Sequence, residues 1–233
     1  TPGLANKLSL PSATKVCCNF PETLQYLPEG KAVLTGCPIR QELREGNRIR
    51  ALNMTGFTPD KPVLMVMGGS LGAAAVNHAV REALPKLLEH WQIVHLCGKG
   101  KLDEALTNIT GYVQYEYIQK ELADLFALAD VVVSRAGANA ICELLALRKP
   151  NLLIPLPASA SRGDQLLNAR SFRQQGFSMV LEEESITSET LLSSILELYR
   201  DRDVYIQAMK QSGQSDAIAM IAGLIEEAAE NKA

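Results

Sequence analysis

Short, uninterrupted apolar runs that end in glycine and lead into helical segments constrain this chain more than any other feature. Val63-Leu64-Met65-Val66-Met67 is followed by Gly68-Gly69-Ser70-Leu71-Gly72. Val131-Val132-Val133-Ser134 is followed by Arg135-Ala136-Gly137-Ala138-Asn139. A strand with one wetted face alternates apolar and polar residues; a continuous apolar run belongs to a strand covered on both faces. The same reading predicts strands over residues 15–18, 32–35, 63–67, 93–96, 113–117, 131–134, 152–155 and 179–181. Helices are expected over 71–90, 102–106, 121–129, 139–147, 164–175, 188–199, 202–211 and 217–231. Pro85 is expected to kink or end the first long helix, and Thr187 to cap the one that opens at Ser188. Alternation of this kind predicts an α/β domain with a doubly wound parallel sheet.

Composition narrows the function classes. Of 233 residues, 47% are hydrophobic and 21% charged, as in ordinary soluble domains. The net charge of −3 gives no basic excess for nucleic acid. Five cysteines, an odd number with no CxxC pair, read as reduced buried thiols rather than a zinc site. His78, His90 and His95 have no partner at metal or triad spacing and read as structural. No apolar stretch reaches the roughly 20 residues that span a bilayer, and no signal peptide is visible. The abrupt start at Thr1 suggests a piece of a longer protein. Gly36-Cys37-Pro38-Ile39-Arg40 is the best candidate for a domain boundary.

In a doubly wound sheet, ligands bind beyond the carboxyl ends of the strands, and both glycine junctions fall at such ends. Small residues there leave backbone N–H groups and the positive helix pole open to a phosphate. Neither junction has the G-x-G-x-x-G of dinucleotide sites or the Gly-Lys-Ser/Thr of a phosphate loop. Two junctions together suggest a diphosphate held from two sides, hence a nucleotide-linked substrate. Gly68, Gly69, Ser70 and Gly72 form the first contact set, and Gly137, Ala138 and Asn139 the second. Glu143, one to two turns inside the second helix, suits the hydroxyls of a ribose, or is a solvated helix glutamate. Asp164 and Gln165 open the helix after a polar loop and suit sugar hydroxyls; Asp164 also fits a plain N-cap. Tyr117-Ile118 ends a predicted strand, and its backbone can pair with a flat base edge. Arg40 can reach a base or a phosphate.

The order of Pro2-Gly3-Leu4-Ala5-Asn6-Lys7, Phe20-Pro21, Gly36-Cys37-Pro38-Ile39-Arg40, Gly68-Gly69-Ser70-Leu71-Gly72, Cys97-Gly98-Lys99-Gly100, Ala129 to Gly137 and Arg162-Gly163-Asp164-Gln165-Leu166-Leu167-Asn168-Ala169 resembles the MurG family of bacterial N-acetylglucosaminyltransferases. The resemblance runs nearly end to end. It implies the carboxyl-terminal, Rossmann-like donor domain of a two-domain GT-B enzyme. Residues 1–36 would then be the remnant of an acceptor-binding domain and linker, 37–216 the UDP-sugar domain, and 217–233 a helix that returns to the first domain.

The implied activity is transfer of N-acetylglucosamine from UDP-N-acetylglucosamine to lipid I, making lipid II for peptidoglycan, at the cytoplasmic face of the membrane. No cofactor, metal or nucleic acid is implied, and the membrane surface is a partner only of the full-length protein. The resemblance implies that Ser70 and the Gly68–Gly72 turn contact the diphosphate and aid departure of UDP. Ile118 would pair with uracil, Gly137 to Cys142 present amides to phosphate, Glu143 hold the ribose, Gln165 with Asp164 bind the sugar, and Arg40 approach the nucleotide from the linker. The catalytic base would lie outside this chain, which alone would bind donor without turnover. Leu71 stands where the family has glutamine, and Ser161-Arg162-Gly163-Asp164-Gln165 replaces a His-Lys-Asp-Arg-Gln form. The rival readings are a donor-binding subunit completed by a separate membrane partner, a related glycolipid synthase and a nicotinamide oxidoreductase.

Overall fold

The structure, a computed structural model, describes residues 2–69, 73–160, 163–212 and 217–230. The chain forms two compact units, residues 1–39 with 212–233 and residues 40–211. The smaller unit begins with α1 (Leu4–Ser9), β1 (Val16–Cys18) and β2 (Ala32–Leu34); the two strands pair in parallel. The larger unit runs α2 (Arg48–Thr55), β3 (Val63–Met67), α3 (Ala74–His90), β4 (Gln92–Leu96), β5 (Tyr112–Tyr115), α4 (Leu122–Leu128), β6 (Val131–Ser134), α5 (Ala138–Ala146), β7 (Asn151–Leu153), α6 (Asp164–Gln174), β8 (Met179–Val180), α7 (Ser188–Arg200) and α8 (Arg202–Gln211). The smaller unit ends in α9 (Ala217–Glu230), in which only Ala217 is buried.

The larger unit is built on a six-stranded sheet in the order β5-β4-β3-β6-β7-β8, every pair parallel. Alternate strand residues serve opposite faces. Leu64, Val66, Val131, Val133 and Leu152 join the stripe Val76, Val80, Leu84 and Leu87 of α3 and Leu191, Ile195 and Leu198 of α7 in one core. Val63, Met65 and Val132, on the other face, are fully buried as well. The central strands are therefore covered on both sides, which is why β3 and β6 carry no polar alternation.

Several elements differ from expectation. Pro85 lies inside α3, which continues to His90. Proline removes one backbone donor, and burial of the flanking stripe holds the rest of the helix in place. Residues 102–106 hold only a short 3-10 turn, Glu104–Leu106, opened by Asp103. β5 ends at Tyr115, so Tyr117 and Ile118 lie in the loop beyond it rather than in the strand. α1 and α2 were not expected. Thr187 caps α7 in a reciprocal box with Thr190, whose N–H lies 3.1 Å from the Thr187 hydroxyl.

Candidate nucleotide site at the carboxyl edge of the sheet

The chain winds outward from β3 to β5 in one direction and from β6 to β8 in the other. The reversal between β3 and β6 is the switch point at which open α/β sheets bind ligands. Met67 and Ser134, the last residues of these strands, are register partners. The junctions that begin at Gly68 and at Arg135 thus leave the sheet side by side. Gly69 has φ of 81°, which only glycine adopts without strain. Ser70, Leu71 and Gly72 lie outside the described residues.

Among the described residues, the helices that follow carry no side-chain cap at their starts. α3 begins after Ala73 and α5 after Gly137, neither with a side-chain cap, whereas Asn47 caps α2 and Thr187 caps α7. The first-turn amides of α5, at Ala138 and Asn139, have no intrahelical partner, and a Cβ added at Gly137 would meet nothing within 4 Å. First-turn amides at a helix pole suit an anion.

Glu143 lies further along α5. Its Oε1 stands 3.5 Å from an Arg40 guanidinium nitrogen. Burial raises the Glu143 carboxyl above its usual range, and Arg40 pulls it partly back. The glutamate is half-buried and paired, not a freely solvated helix side chain. Gln165 lies in the first turn of α6, and its Oε1 accepts the Leu156 N–H at 3.1 Å, beyond the end of β7. Asp164 is exposed and is not the N-cap; Gly163, with φ of 79°, holds that position. Ile118 lies past the end of β5, two strands away from β3 on the same edge. The carboxyl edge therefore gathers Gly68, Gly69, Gly137, Ala138, Asn139 and Gln165, with Ile118 toward its outer side, and Arg40 meets Glu143 on α5.

Two residues singled out by no sequence reading shape this edge. Arg135 donates to the carbonyls of Ile154 (3.0 Å) and Pro155 (3.3 Å) and pairs with Glu183, so its guanidinium ties β6 to the segments after β7 and β8. Asn168 donates from Nδ2 to the Ala136 carbonyl at 3.0 Å, joining α6 to the second junction. Behind the edge, His95 is buried and neutral, pushed down to about 3 by burial and then by the Arg81 charge. The Tyr112 hydroxyl contacts its Nδ1 at 2.8 Å, and its Nε2 faces Asn77 Oδ1 at 3.0 Å. Asn77 donates to the Cys97 carbonyl, so its Oδ1 accepts, and the proton sits on His95 Nε2. This histidine is structural.

Residues 63–222 match the model of the glycosyltransferase family 28 C-terminal domain. The chain belongs to this family. Among relatives, an N-acetylglucosamine transferase of Lachnospira eligens is 61% identical over 227 residues, covering 97% of this chain and 64% of the relative. It is described as UDP-N-acetylglucosamine--N-acetylmuramyl-(pentapeptide) pyrophosphoryl-undecaprenol N-acetylglucosamine transferase. A relative of the same description from Lachnoclostridium phytofermentans is 62% identical over the same shares. The chain thus spans 64% of the length of these relatives. Among solved structures, MurG of Acinetobacter baumannii superposes with a TM-score of 0.69 at 22% identity, over 97% of this chain and 64% of that one. A calicheamicin glycosyltransferase gives 0.68 at 17% identity, over 94% and 55%. These two likenesses show the GT-B type of fold for this family 28 domain.

Proposed function

We propose that this chain is the donor-binding part of an inverting N-acetylglucosaminyltransferase that moves the sugar of UDP-N-acetylglucosamine onto lipid I, forming lipid II at the cytoplasmic membrane face. The observation that carries the reading is the meeting of two glycine junctions at the β3–β6 switch point, with uncapped helix starts behind them. The description shared by relatives above 60% identity supplies the substrates.

In this reading Gly68, Gly69, Ser70 and Gly72 approach the diphosphate from one side, and Gly137, Ala138 and Asn139 from the other. Glu143 accepts ribose hydroxyls, Ile118 pairs its backbone with uracil, and Gln165 with Asp164 meets the sugar. Arg40 reaches the nucleotide beside Glu143. The muramoyl 4-hydroxyl oxygen bonds to the anomeric carbon while the bond from that carbon to the phosphate oxygen breaks. The electron pair leaves with UDP, and the hydroxyl proton passes to a base outside this chain. Negative charge grows on the diphosphate, where preoriented amides stabilise it best. The reading calls on no metal or cofactor. Residues 1–36 and 217–233 belong with the acceptor-binding domain, and the chain alone binds donor without turning it over.

Titration calorimetry on this chain tests the proposal. Saturable binding of UDP and tighter binding of UDP-N-acetylglucosamine are expected, with UDP-glucose and UDP-N-acetylgalactosamine weaker. Binding of NAD without UDP would overturn it. In the full-length enzyme, Ser70→Ala should lower turnover.

A further inference from the structure

Two side-chain amides on α6 are fastened to two different strand ends. Gln165 holds the Leu156 N–H after β7, and three residues later Asn168 holds the Ala136 carbonyl after β6. Residues three apart share a helix face, so α6 is pinned across the edge by one face. Ala136 is fully buried and directly precedes Gly137, the uncapped start of α5. The peptide whose carbonyl Asn168 grips carries the Gly137 N–H on its other side. A planar peptide turns as one piece, so fixing its carbonyl fixes the direction of that N–H and the entry of the chain into α5.

We propose that Asn168 is a positioning residue: through the Ala136 carbonyl it aims the Gly137 junction at the ligand phosphate and couples it to the sugar side of α6. Asn168 itself touches no phosphate in this arrangement. Its effect on nucleotide affinity rests on the function proposed above; its effect on the junction does not.

The test compares Asn168→Ala, which deletes the donor, with Asn168→Asp, which sets an acceptor against the carbonyl. The first readout is the backbone amide spectrum of the ligand-free whole chain. Resonances of Ala136, Gly137 and Ala138 are expected to shift in both variants, while amides of β3 and β4 stay in place. Unmoved resonances at the junction would overturn the proposal, whatever the chain binds. So would shifts spread evenly over the sheet, because those would mark a general loss of packing. The second readout is UDP affinity. A net hydrogen bond of ordinary strength predicts a loss of about fivefold for Asn168→Ala, and more for Asn168→Asp, where the carbonyl faces an unmatched acceptor. Shifted junction amides with UDP affinity unchanged in both variants would overturn the positioning role. Shifted amides in a chain that binds no UDP even as wild type would support the structural coupling and refute the nucleotide reading.

Discussion

Glu143 shows how one carboxylate is held partly out of water beside a cation. Its carboxylate is drawn partly out of water, which strengthens whatever bond it accepts and also raises its affinity for a proton. Arg40 at 3.5 Å opposes the second effect by favouring the ionised form. Glu143→Gln leaves the shape and replaces one acceptor oxygen with a donor. UDP affinity should fall about tenfold, the range for losing a hydrogen bond to a charged group, as calorimetry would read. The wild type should also weaken as acidity protonates Glu143, and this loss should set in above the usual carboxylate range, because burial raises the folded value. The places of Glu143 on α5 and of Gln165 in the first turn of α6 were legible in the sequence, as positions near helix starts beside strand ends. Asn168 and Arg135 were not. Their partners are carbonyls on neighbouring strand ends, and nothing local in Arg135-Ala136-Gly137 or Leu167-Asn168-Ala169 says which strand end lies within reach.

At the level of elements, the strands were the readable part. Each of the eight expected strands is present, and the central ones, β3 and β6, are the plainest, because burial on both faces leaves an uninterrupted apolar run. Helix α2 was harder. Arg48-Ile49-Arg50-Ala51-Leu52-Asn53-Met54 buries only Ala51 before Thr55, so no apolar stripe announces it. Its signals were its ends: Asn47 accepts from the amides of Ile49 and Arg50, and Gly56 closes the helix at φ of 69°. Asp124 of α4 accepts from the Asn47 N–H at 2.6 Å and from Arg50 at 2.8 and 2.7 Å, which docks α2 on α4. Gly46 lets the chain come that close. A Cβ there would stand 2.0 Å from the Ala123 carbonyl oxygen and 3.0 Å from the Ala127 Cβ. Backbone cannot yield as a flexible side chain does. Gly46→Ala should therefore destabilise the larger unit by about 1–3 kcal/mol, the ordinary range for overpacking. The expected signature is a lower urea midpoint with an unchanged slope.

For the molecule as a whole, His95 sets a dependence of stability on pH. In the fold it stays neutral down to about 3, whereas in the unfolded chain it takes up a proton near its ordinary value of about 6.5. Between those limits the unfolded state binds more protons, so stability rises with pH. Acidification from about pH 6.5 should cost up to about 1.4 kcal/mol per unit from this group, measurable as a falling urea midpoint. His95→Gln, which cannot titrate, should flatten that decline. Strand order was the part of the architecture that no run of residues displayed. Met67 and Ser134 touch across the sheet, yet α3, β4, β5 and α4 all lie between them along the chain. This switch point therefore has no local precursor: its two junctions do not come side by side until the entire intervening excursion has gone out and come home. In a refolding experiment, recovery of nucleotide capture would mark closure of that excursion, not the earlier appearance of helix.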